Sequence, residues 1–209
     1  MKTRPHPYVR RFFSVAAVGI LAVALTSCTG RGGGQLPPDS VMGFTGPASF
    51  GFSVSCEDNS TTLNSPPAQP RIQLSYTDHG TNPLGSSFSI HGVVDEMNPI
   101  LQSQICIAVN SPPEPYPPNQ LIFLGRYRLT SSAPAGFDST CVEREITTTS
   151  CRFEVIVQDN DTSRGPSKGD SFQIRLSGST GPVDLGSSQL PSAFYMRGGT
   201  LSSGNLTVD

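Results

Sequence analysis

The chain of 209 residues contains no tryptophan, and only 14% of it is charged. An exposed tryptophan platform for stacking on sugars is therefore ruled out. Basic residues thin out sharply after the first stretch: four of the 14 precede Cys28, no acidic residue does, and Lys168 is the one lysine left beyond it. The remainder carries a formal net charge of −6, with no basic cluster dense enough to track a nucleic-acid backbone. No apolar run reaches the roughly 20 residues of a comfortable membrane span. The longest, Phe12–Leu25, is interrupted by Ser14 and Gly19. Apolar residues do not recur at helical spacing, which argues against a helical bundle. There are five cysteines and three histidines and no Cys-x-x-Cys spacing, so a zinc site of the usual kind is not expected.

Glycine and proline, by contrast, are plentiful, at 21 and 19 residues. Their share stays below the roughly 25–30% of low-complexity disordered chains. Length and composition together predict one strand-rich domain with appendages.

The first 27 residues have the layout of a bacterial secretory signal: a basic start at Lys2, Arg4, Arg10 and Arg11, the apolar run, and a short polar close. Leu25-Thr-Ser-Cys28 resembles the lipobox of bacterial lipoproteins. That resemblance implies cleavage before Cys28, acylation of its thiol, and a diacyl anchor holding the chain on the outward face of the membrane. Two acyl chains anchor stably where one does not. Arg10-Arg11-Phe12-Phe13 is also similar to the twin-arginine export signal, with Val9 where Ser or Thr is usual. General secretory and twin-arginine export both remain open. Residues 29–41 are expected to form a flexible tether, spanning roughly 45 Å when extended, with 28–43 the lipidated cysteine and linker and 44–209 a single domain.

With Cys28 committed to lipid, Cys56, Cys106, Cys141 and Cys151 remain. An even count in an exported chain predicts two disulfides. Cys141 and Cys151 flank a turn ten residues apart and are expected to pair, which leaves Cys56 with Cys106.

From residue 48 onward apolar residues alternate with small or polar ones. Phe50, Phe52 and Val54 do so, then Ile72, Leu74 and Tyr76, then Ile105, Ile107 and Val109. Phe153, Val155 and Val157 follow, then Phe172, Ile174 and Leu176, and finally Leu206 and Val208. Gly, Pro, Asn and Asp clusters separate the runs. Alternation of this kind predicts half-buried antiparallel strands and an all-β fold, a β-sandwich or a barrel-like variant.

Five segments occur in an order that resembles the small β-rich post-COAP type of domain on secreted bacterial proteins. They are Ala48-Ser-Phe-Gly-Phe-Ser-Val54, Leu74-Ser-Tyr-Thr-Asp-His-Gly80, Phe153-Glu-Val-Ile-Val-Gln-Asp159, Gly169-Asp-Ser-Phe-Gln-Ile-Arg-Leu176 and Gly199-Thr-Leu-Ser-Ser-Gly-Asn-Leu206. The resemblance spans about 44–209 and implies a fold more than an activity. Relative to it, residues 97–150 are a long insertion that the cystines would brace. Within it, Pro112-Pro-Glu-Pro-Tyr-Pro-Pro118 predicts a stiff extended loop.

Candidate chemistry is sparse. Asp78-His79 and His91 offer an acid and bases for a serine, yet Asp78 in a strand-to-turn position is best read as binding turn amides. Gly169-Asp170-Ser171 resembles the start of a lipase family, but no histidine follows residue 91 to complete a catalytic set. Asp159, Asp161 and Asp170 are weak calcium candidates whose spacing does not match an EF-hand loop. No cofactor and no catalytic residue is predicted. The expected function is a cell-envelope lipoprotein acting as a non-catalytic binding or structural module, on an envelope protein, lipid or glycan. The alternatives are a carrier of envelope lipids or glycolipids and a polysaccharide-binding module.

Overall fold

Glycine at alternate positions leaves one face of an extended chain bare, and the first strand uses that space. The computed structural model describes residues 28–56, 71–93, 107–109, 119–142, 151–160, 169–178 and 193–208, and in it Cys28–Leu36 form strand β1. A Cβ on Gly32 would stand 2.7 Å from the Asn205 carbonyl oxygen, and one on Gly34 would stand 2.5 Å from that of Ser203. One on Gly30 would run into the Leu121 side chain. Leu36 continues the same face and is buried. The expected tether over 29–41 is thus corrected: the glycines admit neighbouring walls rather than supply flexibility, and β1 belongs to the domain.

The other strands are β2 (Ala48–Cys56), β3 (Arg71–Asp78), β4 (Phe88–Val93), β5 (Ile107–Val109) and β6 (Gln120–Leu129). They are followed by β7 (Arg152–Gln158), β8 (Ser171–Ser177), β9 (Ala193–Thr200) and β10 (Ser203–Val208). All pair antiparallel in one sheet of order β10-β1-β2-β3-β4-β6-β7-β8-β9, with β5 beside the first half of β6. The fold is all-β, and of the two expected forms it takes the barrel-like one.

β9 and β10 stand at opposite ends of this order, yet only Leu201 and Ser202 separate them in the chain. The sheet therefore curls until its ends meet. The crossing is pinned from both sides: the Leu201 amide donates to the Asp170 carbonyl and the Ser202 amide to that of Gln35. The Asp170 carboxylate, fully buried, accepts the Leu206 amide at 3.2 Å and the Asn160 amide at 3.0 Å. One side chain thus ties the start of β8 to β10 and to the turn after β7.

The concave face is the core. Phe50 of β2 stacks on Phe172 of β8, with ring centroids 3.7 Å apart, and Phe52 meets Phe123 of β6 at 5.2 Å. Phe88 of β4 meets Tyr195 of β9 edge-on at 4.9 Å. Such contacts join strands that are distant in the sheet, so packing holds the curl, and removing one buried Phe costs about 3–5 kcal/mol.

β6 is buried on both faces. Leu121, Phe123 and Tyr127 point inward, while Ile122, Leu124 and Arg126 are covered on the outer side. It lies between β4 and β7, so residues 120–129 are a central strand and not part of an addition to a finished sheet. The expected insertion over 97–150 is corrected for this stretch alone; residues 97–106, 110–118 and 143–150 lie outside the described residues. Cys141, at the end of a 3₁₀ turn (Ser139–Cys141), is bonded to Cys151, with Cα atoms 5.7 Å apart. The side chains of Cys28 and Cys56, all of Cys106, and the proline segment 112–118 lie outside the described residues.

Candidate functional site

The groups with chemistry divide between the interior and one cleft. Inside, Asp78 closes β3 and is fully buried. Arg197 enters from β9 and places Nη1 2.8 Å from Asp78 Oδ1, an ionic contact off the hydrogen-bond line. Its Nη2 donates to the carbonyls of Pro37 and Gly46, at 2.9 and 2.7 Å, and its guanidinium lies 4.6 Å from the centre of the Phe44 ring. The Tyr195 hydroxyl donates to Asp78 Oδ2 at 2.7 Å, so the Tyr76 hydroxyl donates in turn to Tyr195. Burial pushes both phenols well above the ordinary tyrosine value, and Asp78 adds to the shift in each. The expected turn contact is present too, from the Gly80 amide to Asp78 Oδ1 at 3.3 Å. Apart from Arg197 Nη1, which has the ionic contact alone, these buried groups are hydrogen-bonded to one another and to backbone, an arrangement that braces the fold.

His79 lies on the surface with Nε2 2.7 Å from Ser49 Oγ. The adjacent acid, Asp78, points to the opposite face of the strand, so among the described residues Ser49 and His79 form a pair without an orienting carboxylate. His91 sits apart, on the outer face of β4 beside Ser53, Gln73 and Ser75. Ser171 opens β8 next to the buried Asp170, whose carboxylate is taken by two backbone amides. Of the calcium candidates, Asp170 serves that closure and Asp161 lies outside the described residues. No group of three or more metal-ligating side chains assembles among the described residues.

The cleft, about 580 Å³ in volume, opens between the turn after β1 and the outer face of β7, β8 and β9. One wall is Pro37, Pro38, Asp39 and Met42. The turn is rigid: Asp39 and Phe44 exchange backbone hydrogen bonds, and Asp39 Oδ1 accepts the amides of Val41 and Met42 at 3.1 and 3.2 Å. Gly43 takes the left-handed conformation (φ +84°) that closes it. Val41, 93% exposed, and Met42 are thereby held out in solvent. The floor carries Gln120, Gln158, Ser171 and Gln173. Pairing puts Gln120, Gln158 and Ser171 side by side across β6, β7 and β8. The far wall is Met196–Gly199 of β9. Four consecutive residues of a strand line it, so the cleft runs along the strand's backbone edge as well as its side chains. Further along the outer face, Glu154 pairs with Arg175 at 3.1 Å, and burial raises its pKa against the pull of that arginine.

Neither the cleft nor Arg197 is visible to hydrophobic patterning. Asp39 to Gly43 did carry a turn signal, an Asx residue followed by glycine. No protein-family model, no curated protein and no solved structure matches the chain.

Proposed function

We propose that the protein is a cell-envelope lipoprotein, anchored by an acylated Cys28, whose β-domain serves as a non-catalytic binding module on the outward face of the membrane. The observation that carries this reading is Leu25-Thr-Ser-Cys28 directly after a basic start and an apolar run. The domain's chemistry is in keeping with it. Its buried ionic groups are consumed in bracing, its one Ser–His contact has no carboxylate partner among the described residues, and its cleft offers amides and thioethers. The filled aromatic interior favours a surface binder over a carrier that encloses lipid.

The test is metabolic labelling of the full chain in a bacterial host with an alkyne-tagged fatty acid. Label is expected on the wild type and none on Cys28→Ser, which should also accumulate at precursor size. Equal labelling of both would sink the anchor. Binding-module character is tested separately, by the titration below.

A further inference from the structure

Among the described residues, two of the four exposed large apolar side chains, Met42 and Met196, line the cleft, and a third, Val41, precedes Met42 in the turn. The fourth, Val142, is elsewhere. The Asp39 cap fixes Val41 and Met42 in the exposed position before any ligand arrives, which lowers the ordering cost of binding. Solvent-facing methionines suit apolar side chains of varied shape.

The lining carries one carboxylate, Asp39, and one guanidinium, Arg197, both held by other groups of the fold. The Asp39 carboxylate is engaged by its own turn, and Arg197 is spent on Asp78 and two carbonyls. What remains on the floor is Ile156 among amides and a hydroxyl: Gln120, Gln158, Ser171 and Gln173. The Gln173 amide is assigned with its oxygen toward Arg175 Nε and Nη2, at 3.2 and 3.3 Å, which leaves its NH₂ as a donor. Beside them runs β9, the terminal strand of the sheet, with a ladder partner only in β8 among the described residues. An unpaired strand edge offers alternating amides and carbonyls to another extended chain.

We propose that this cleft binds an extended, uncharged polypeptide segment, laid along the outer edge of β9 with apolar side chains against Met42 and Met196. A glycan is the poorer fit, because among the described residues no exposed aromatic side chain lies at the mouth for a sugar to stack on. The inference rests on the binding-module reading and is independent of acylation at Cys28.

The experiment uses the full chain in detergent, with isotope-labelled methionine methyl groups. The probes are short capped peptides alternating Val or Leu with Ser or Thr, then chitohexaose, then phosphatidylglycerol vesicles. Peptides should shift the Met42 and Met196 methyl signals, assigned by Met→Leu substitution, in a saturable way. Gln173→Ala and Met196→Ser should each weaken that titration by about tenfold while leaving the unfolding midpoint unchanged. Shifts with chitohexaose or vesicles but not peptides would overturn the peptide assignment and keep the module. No shift with any probe would overturn both.

Discussion

Arg197 reaches the interior from β9 and is met there by a carboxylate, an aromatic face and two carbonyls. Such a charge is tolerable only while its partners stay. Asp78→Asn keeps the size of the side chain and removes the counter-charge, so it should destabilise the domain by about 3–5 kcal/mol. Tyr195→Phe leaves Asp78 Oδ2 without its donor and should cost about 1–3 kcal/mol. Urea unfolding at neutral pH reads both, and equal losses would mean that the ion pair adds nothing beyond the hydrogen bond. The buried phenols set the alkaline limit. Tyr76, Tyr127 and Tyr195 all have pKa values raised by burial above the ordinary 10.0, so the fold holds them protonated where the unfolded chain would release protons. Their contribution is fully present below pH 10.0 and is lost as pH rises beyond it. Tyrosinate absorbance should therefore appear for these three only together with loss of the β-sheet signal. A smooth titration of all tyrosines in the folded state would contradict the burial.

At the scale of the strand, β1 is the element whose nature is most readily tested. In a free linker, Gly32→Ala and Gly34→Ala would be silent. As a packed strand it should lose about 1–3 kcal/mol at each, since the added carbon meets backbone that does not yield. Gly51→Ala on the outer face of β2, where the nearest atom is Ser75 Oγ at 3.4 Å, is the control and should change little. Thermal unfolding of the three variants decides it. The same strands show what patterning can reveal. β2, β3 and β8 each put apolar side chains on one face and small or polar ones on the other, and β7 departs only at Ile156 on its outer face, so their alternation was legible. β1 has the same period, but its inward residues are glycines and carry no hydrophobic signal. β6 is covered on both faces and so shows no alternation. β9 inverts the rule, with Arg197 buried inward and Met196 exposed. β1 and β6 thus lack an alternating signal, and β9 alone reverses the usual link between polarity and exposure.

The candidate cleft is a property of the whole curl. Its walls come from residues 37–42 and 196–199, far apart in sequence, and they meet only because the two ends of the sheet close on each other. No local pattern encodes that meeting. The curl also sets which way the cleft faces. β1 spans nine residues from Cys28 to Leu36, a rise of roughly 25–30 Å at about 3.3 Å per residue. The Val41–Met42 turn lies beyond its far end. With acyl chains on Cys28 there is no linker to let the domain tumble, because pairing with β2 begins at Cys28 itself. The end of the domain bearing Cys28, Ser55 and Arg71 should then lie against the lipid headgroups, with the cleft raised toward the envelope space. A fluorophore attached at residue 55 of the full chain in vesicles should be strongly quenched by headgroup-labelled lipid, and one at residue 41 hardly at all. Inserting a run of Gly and Ser between Cys28 and Thr29 should abolish that contrast, since the domain could then turn freely. Equal quenching at both positions in the unmodified chain would mean that the domain lies on its side, and would bring the Val41–Met42 turn to the membrane surface in place of a polypeptide partner.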